Sequence, residues 1–153
     1  MGVAGSGKST IGKLLSAKTG AMFFDGDDFH PPENIAKMSS GIPLDDHDRA
    51  GWLDALRDLL DKHPDPIIIA CSALKQKYRT TLSQAKRPPK YVYLEGTREL
   101  LLARLSERKG HFMSPAMLDS QLETLEPPGA ESTDIQSISI QYSPEQILSK
   151  ITL

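Results

Sequence analysis

The chain has 153 residues, 39% hydrophobic and 25% charged, with a net charge of −2 and a single cysteine, Cys71. That length suits one domain around one core, and the near-neutral balance supplies no basic surplus for a nucleic-acid partner. One cysteine excludes an internal disulfide, no apolar run approaches the roughly 20 residues of a membrane span, and no apolar signal core opens the chain, so a cytoplasmic protein is expected.

The first informative segment is Gly2-Val3-Ala4-Gly5-Ser6-Gly7-Lys8-Ser9, followed by Thr10, which satisfies G-x-x-x-x-G-K-[ST]. Glycines let a backbone turn its N–H groups inward around phosphate oxygens. Ile11, Leu14 and Leu15 then mark a helix from about Lys8 to Thr19, ended by Gly20. Its positive end would face the phosphates. On this reading Gly2 to Thr10 cradle ATP, Lys8 reaches the β- and γ-phosphates, and the Ser9 hydroxyl coordinates Mg2+. The competing reading is a glycine-rich turn that happens to precede an amphipathic helix.

A short strand, Ala21 to Phe24, runs into Asp25-Gly26-Asp27-Asp28-Phe29-His30-Pro31. Carboxylates at the end of that strand would lie beside the phosphate loop, at the carboxyl edge where α/β domains bind ligands. Phosphoryl transfer to an alcohol needs one carboxylate to orient the hydroxyl and take its proton, and another to hold the hydrated metal. Asp27 is assigned the first role and Asp25 the second, although the spacing allows the exchange. A solvated acidic turn is the alternative.

Pro31 to Met38 predicts a short helix, and Asp46 or Asp48 can cap the next, whose inward stripe is Trp52, Leu53, Leu56, Leu59 and Leu60. Ile67 to Cys71 is apolar on both faces, as a central parallel strand should be. Lys75 to Gln84 is helical, Tyr91 to Leu94 a strand and Thr97 to Arg108 a helix. Arg104 and Arg108, four apart on that last helix, can serve the nucleotide. One, assigned as Arg104, stacks on adenine, and Arg108 meets the charge that develops on the transferred phosphoryl. Residues 109–128 carry their own helix, with Leu118, Leu122 and Leu125 on one face, between Gly110 and Pro127-Pro128. That excursion is a candidate lid. Ile138 and Ile140 mark a last strand, and Pro144 opens a last helix. The expected architecture is a single α/β domain over residues 1–153, doubly wound on a parallel sheet, with a helical lid.

These segments resemble the gluconate kinases, relatives of the shikimate and adenylate kinases. The resemblance runs through Gly2 to Thr10, Asp25 to Pro31, Asn34 to Met38, Gly41 to Arg49, Cys71 to Arg79, Arg104 to Phe112 and Gln121 to Pro127. It implies a P-loop kinase fold with a five-stranded sheet, ATP and Mg2+, and phosphorylation of D-gluconate on its 6-hydroxyl. The product, 6-phospho-D-gluconate, feeds the pentose phosphate pathway. Partners beyond that small molecule are not implied, and a homodimer is a candidate state. Three departures stand out: Gly51 where the family has proline before Trp52, Asp45 for asparagine and Leu122 for phenylalanine. Gly51 should loosen a helix start. Shikimate kinases carry a glycine triplet where this chain has Ser72-Ala73-Leu74, which argues against shikimate.

Gluconate has one carboxylate and five hydroxyls, so its pocket needs a cation and several hydrogen-bonding side chains. The candidates are Asp27, His30, Asn34, Lys37, Arg49, Lys75 and Arg79. Arg79 sits one helical turn after Lys75, on the same predicted face.

A P-loop is pinned between a strand and a helix, and in this fold that strand is central. Only Met1 precedes Gly2. About five apolar residues, each worth roughly 1.5–3 kcal/mol of burial, would be absent from mid-sheet. The expectation is that the chain as written lacks its first central strand and is poorly stable and nearly inactive, a truncated form of a longer kinase or a non-catalytic relative.

Overall fold

The structure, a computed structural model, describes residues 1–107, 115–129 and 132–152. Its elements run α1 (Lys8–Thr19), β1 (Met22–Asp25), a 3-10 turn (Gly26–Phe29), α2 (Pro32–Ser39), α3 (Asp46–Lys62), β2 (Ile67–Ala70), α4 (Gln76–Leu82), β3 (Tyr91–Glu95), α5 (Arg98–Ser106), α6 (Pro115–Thr124), β4 (Ile135–Ser139) and α7 (Pro144–Lys150). Arg108 and residues 109–114 of the expected lid lie outside the described residues.

Local chemistry explains most boundaries. Gly20, at φ 77°, adopts the left-handed conformation that ends α1, its N–H bonded to the Ser16 carbonyl. Ser143 and Gln146 form a capping box at α7, with Pro144 at its first turn. The cap of α3 is Asp45 rather than Asp46 or Asp48. The Asp45 carboxylate accepts from the Asp48 N–H at 2.8 Å, and the Asp48 carboxylate accepts from the Asp45 N–H at 2.9 Å. This reciprocal pair satisfies two donors at once, which neither alternative could do alone. Gly51 consequently falls in the second turn of α3, with open space around it, rather than at the helix start.

The strands form two parallel pairs, β1 with β2 and β3 with β4. The single five-stranded sheet is not present among the described residues. Between the pairs stands Met1, whose carbonyl accepts from the Leu94 N–H at 2.9 Å while the Gly2 N–H reaches the Ser72 carbonyl at 3.1 Å. The Met1 amine donates to the Val92 carbonyl, and loss of solvation pulls its pKa down to about 5. Beside Met1 runs a slot of about 410 Å³ lined by Leu15, Leu56, Ile68, Tyr91 and Val92, among others.

Two apolar clusters flank this slot. One joins Val3, Ile11, Leu94, Leu101, Ile138, Ile140 and Ile147. The other joins Trp52, Leu53, Leu56, Cys71, Tyr78 and Leu82. The α1 helix packs on β1 and β2 and also meets α7, so the loop ahead of α1 is held over the carboxyl ends of the strands. Among the described residues no helix is long and apolar enough to cross a membrane.

Candidate active site

The phosphate loop takes the shape its glycines require. Gly7 is the N-cap of α1 at φ 91°, a left-handed conformation that costs most side chains roughly 1–2 kcal/mol. Gly7 offers α1 no side-chain cap, so the positive end of the helix opens onto the cradle. Ser6 Oγ is buried and finds no hydrogen-bond partner among the described residues. Lys8 Nζ folds back onto the Val3 carbonyl at 2.9 Å. Arg104 reaches the same loop: its guanidinium donates to the Ile140 carbonyl and lies 3.7 Å from where a Gly7 Cβ would stand.

The acidic turn meets this cradle directly. Ser9 Oγ donates to Asp25 Oδ2 at 2.8 Å, and Asp25 Oδ1 accepts from the Asp27 N–H at 3.2 Å. Gly26 makes the approach possible, because a Cβ there would stand 2.7 Å from the Ala70 carbonyl at the end of β2. Both Asp25 oxygens are therefore engaged within the protein. The Asp27 side chain is 78% exposed. The protein mass around it raises its pKa, and the neighbouring Asp25 charge adds to the rise.

Ser9 and Asp25 suit a divalent cation, being a hydroxyl and a carboxylate already in contact. Among the described residues no cluster of three or more His, Cys, Asp or Glu side chains is set to hold a metal by itself. An ion here would take its remaining ligands from phosphate and water, the usual habit of Mg2+.

Beyond Asp27 lie His30 and Asn34, both buried. His30 Nε2 is 4.0 Å from Asp27 Oδ1, and Asn34 Nδ2 is 3.2 Å from His30 Nδ1. Burial lowers the His30 pKa, with the Arg49 charge acting the same way and Asp27 opposing it. The cationic candidates gather at the start of α3. Lys37 Nζ bonds both Asp48 oxygens at 2.8 Å. Lys75 Nζ bonds Asp46 Oδ1 at 2.9 Å, joined there by Lys77 and the Tyr78 hydroxyl. Arg49 lies over the Tyr78 ring, 5.7 Å from its centroid, and donates to the Leu44 carbonyl.

Arg79 stands apart from this group. Its Nη1 donates to the carbonyls of Ala73 and Leu74 at 3.0 and 3.1 Å, and its Nη2 to Gln76 Oε1 and the Glu126 carbonyl at 2.9 and 3.0 Å. Lys75 is the N-cap residue of α4 rather than part of its first turn, so the two cations do not share the predicted helical face. The Glu126 contacts fasten the chain after α6 to the loop after β2. From the C-terminal half of the same helix, α6 also reaches the phosphate loop, where Gln121 Oε1 accepts from the Ala4 N–H at 2.7 Å.

Sequence reasoning did not single out Asp46, Tyr78, Gln121 or Glu126 as site residues, and it read Trp52 as core. Nothing in their spacing separates them from a helix cap or a packed helix face. Their partners lie 22 to 117 residues away along the chain.

A phosphate cradle joined through Ser9 and Asp25 to an acidic turn, with a group of cationic side chains beyond it, defines a small P-loop kinase. A family model described as shikimate kinase matches residues 4–152. Within that group the chain belongs to the gluconokinase family. It is 47% identical over 145 residues to the thermosensitive gluconokinase of Escherichia coli, covering 93% of this chain and 78% of that protein. It is 43% identical over 171 residues to a probable gluconokinase of Mus musculus, covering 99% and 92% of the two chains. The crystal structure of a gluconokinase from Sinorhizobium meliloti matches with a TM-score of 0.90 at 41% identity, over 97% of this chain and 85% of that one. Shikimate kinase from Aquifex aeolicus shares the fold, with a TM-score of 0.58 at 20% identity.

Proposed function

We propose that the chain transfers the γ-phosphoryl group of ATP to the 6-hydroxyl of D-gluconate, using a divalent cation, Mg2+, as cofactor. The observation that carries this reading is the Ser9–Asp25 contact. It sets the phosphate cradle edge to edge with the acidic turn, beyond which lie His30, Asn34 and the cations Lys37, Arg49 and Lys75. The identity to gluconokinases supports the choice of acceptor.

Gly2 to Thr10 wrap the phosphates with backbone donors, and Lys8 leaves the Val3 carbonyl to meet the β- and γ-oxygens. Ser9 and Asp25 would hold the magnesium ion, which would supply neutralisation of the charge on those oxygens. Asp27, whose carboxylate is the open one, accepts the proton of the 6-hydroxyl as its oxygen bonds to the γ-phosphorus and ADP departs. Arg104 flanks the nucleotide, and Arg108 is assigned to the transferred phosphoryl. Lys37, Arg49 and Lys75 draw the gluconate carboxylate in, where it competes with Asp48 for Lys37 and with Asp46 for Lys75. Arg79 holds the loop after β2 in place through the carbonyls it binds. The lid assignment stays with residues 109–128, since α6 within it already contacts the phosphate loop through Gln121 and closure there would exclude water.

A coupled assay over gluconate, shikimate, AMP and glucose tests the proposal. Gluconate should lead in kcat/KM by at least about 10³-fold, because wrong acceptors leave polar groups of the site unpaired. Comparable turnover of shikimate or AMP rules the assignment out, and no product from any acceptor rules out catalysis.

A further inference from the structure

Trp52 is 1% exposed, yet it touches the acidic turn twice. Its Nε1–H donates to the Gly26 carbonyl at 2.6 Å, and its ring stacks on His30 with centroids 4.4 Å apart and planes 12° from parallel. Gly26 lies between Asp25 and Asp27, and the His30 N–H closes the same turn on the Asp27 carbonyl at 3.3 Å. One side chain of α3 thus grips the turn at both ends.

Asn34 decides where His30 carries its hydrogen. The amide nitrogen is 2.8 Å from the Asp48 carbonyl and 3.2 Å from His30 Nδ1. A carbonyl can only accept, so the NH2 end of the amide must face it. That nitrogen has two hydrogens and no lone pair to offer, which makes Nδ1 the acceptor of the second bond. A neutral imidazole then holds its own hydrogen on Nε2. The 4.0 Å between Nε2 and Asp27 Oδ1 is too long for a direct bond and suits an intervening oxygen.

We propose that Trp52 and Asn34 are positioning residues that lock His30 as a neutral Nε2–H donor, aimed at the acceptor hydroxyl oxygen whose proton Asp27 takes. Trp52 sets the ring plane and the turn, and Asn34 sets the tautomer. The proposal builds on the gluconate reading given above, so its test includes a measurement that needs no turnover.

NMR of nitrogen-labelled histidine in the full chain reads the His30 tautomer directly, with His30→Gln identifying its signals. The Nε2–H form is expected at neutral pH without ligand. Asn34→Asp replaces the donor with an acceptor and should shift the hydrogen to Nδ1, lowering kcat with gluconate at least about tenfold. The KM for ATP should stay within about twofold, since the phosphate cradle is untouched. Trp52→Phe keeps the stacking face but loses the N–H, and should lower kcat at least about threefold with the tautomer retained. A wild-type His30 found as Nδ1–H or as imidazolium overturns the proposal, as does an unchanged kcat in both variants. If Asn34→Asp does not fold, the wild-type spectrum and Trp52→Phe decide. A wild-type chain that fails to phosphorylate gluconate overturns the functional reading, while the tautomer still decides the clamp.

Discussion

Asp25 and Asp27 are two residues apart and differ in what surrounds them. Asp25 spends both oxygens on Ser9 and on the turn, whereas Asp27 is open and its pKa is raised. Lys8→Met and Asp27→Asn should each lower kcat by at least about 10²-fold with the fold intact. Full activity in Asp27→Asn with none in Asp25→Asn would reverse the two roles. The base must be deprotonated, so kcat/KM should climb with pH through an apparent pKa above the ordinary aspartate value of 3.8, and Asp27→Asn should erase that limb. The same shift has a stability consequence of opposite sense. Between the unfolded and the raised folded pKa the native state binds more protons, so Asp27 stabilises at low pH and that contribution is lost as pH rises. Asp27→Asn should therefore melt no lower than the wild type at neutral pH, which a thermal scan beside the kinetic assay would show.

Elements meet here through side chains that look alike in sequence. Lys75 and Arg79 fall one turn apart, yet the first joins the α3–α4 cation cluster and the second is buried, tying α4 to the loop after β2 and to the foot of α6. Removing a buried guanidinium that serves four acceptors should cost at least about 2 kcal/mol. Arg79→Ala should lower the denaturant midpoint accordingly. Arg79→Lys should restore part of it, because an ammonium cannot reproduce the forked geometry. A variant of normal stability whose KM for gluconate rises at least about tenfold would instead return Arg79 to the substrate.

For the molecule as a whole, the slot between the two strand pairs is the controlling feature. The inner edges of β2 and β3 face it, and Met1 supplies a rung to β3. An extended Val/Ile-rich segment of about five residues fused ahead of Met1 should enter the slot, pair with both edges and raise Tm by at least about 5 °C. Fusion also replaces the enclosed amine by a peptide N–H. In the 153-residue chain that amine titrates near 5 when folded, against 8.0 for the ordinary value. The unfolded state binds the extra proton between those values, so stability should rise with pH from about 5 to 8, a slope the fused chain should lose. A 153-residue chain that melts cooperatively, works at full rate and gains nothing from fusion would show that Met1 and the surrounding packing suffice.

Local chemistry was legible in the sequence wherever the cause was local. The phosphate loop, the α1 boundaries with Gly20 as stop, the acidic turn and the apolar β2 strand follow from glycine conformations, helix caps and hydrophobic periods. Shared motifs also pointed to the kinase family to which the chain belongs. What the chain order hides is which groups spend their hydrogen bonds on one another. Arg79 on the Glu126 carbonyl, Gln121 on the phosphate loop and Trp52 across the acidic turn each depend on a partner chosen by packing. A polar side chain takes its role from whatever acceptor or donor the fold brings within about 3 Å, and distances of that kind are set only when the strands, helices and loops have closed on each other.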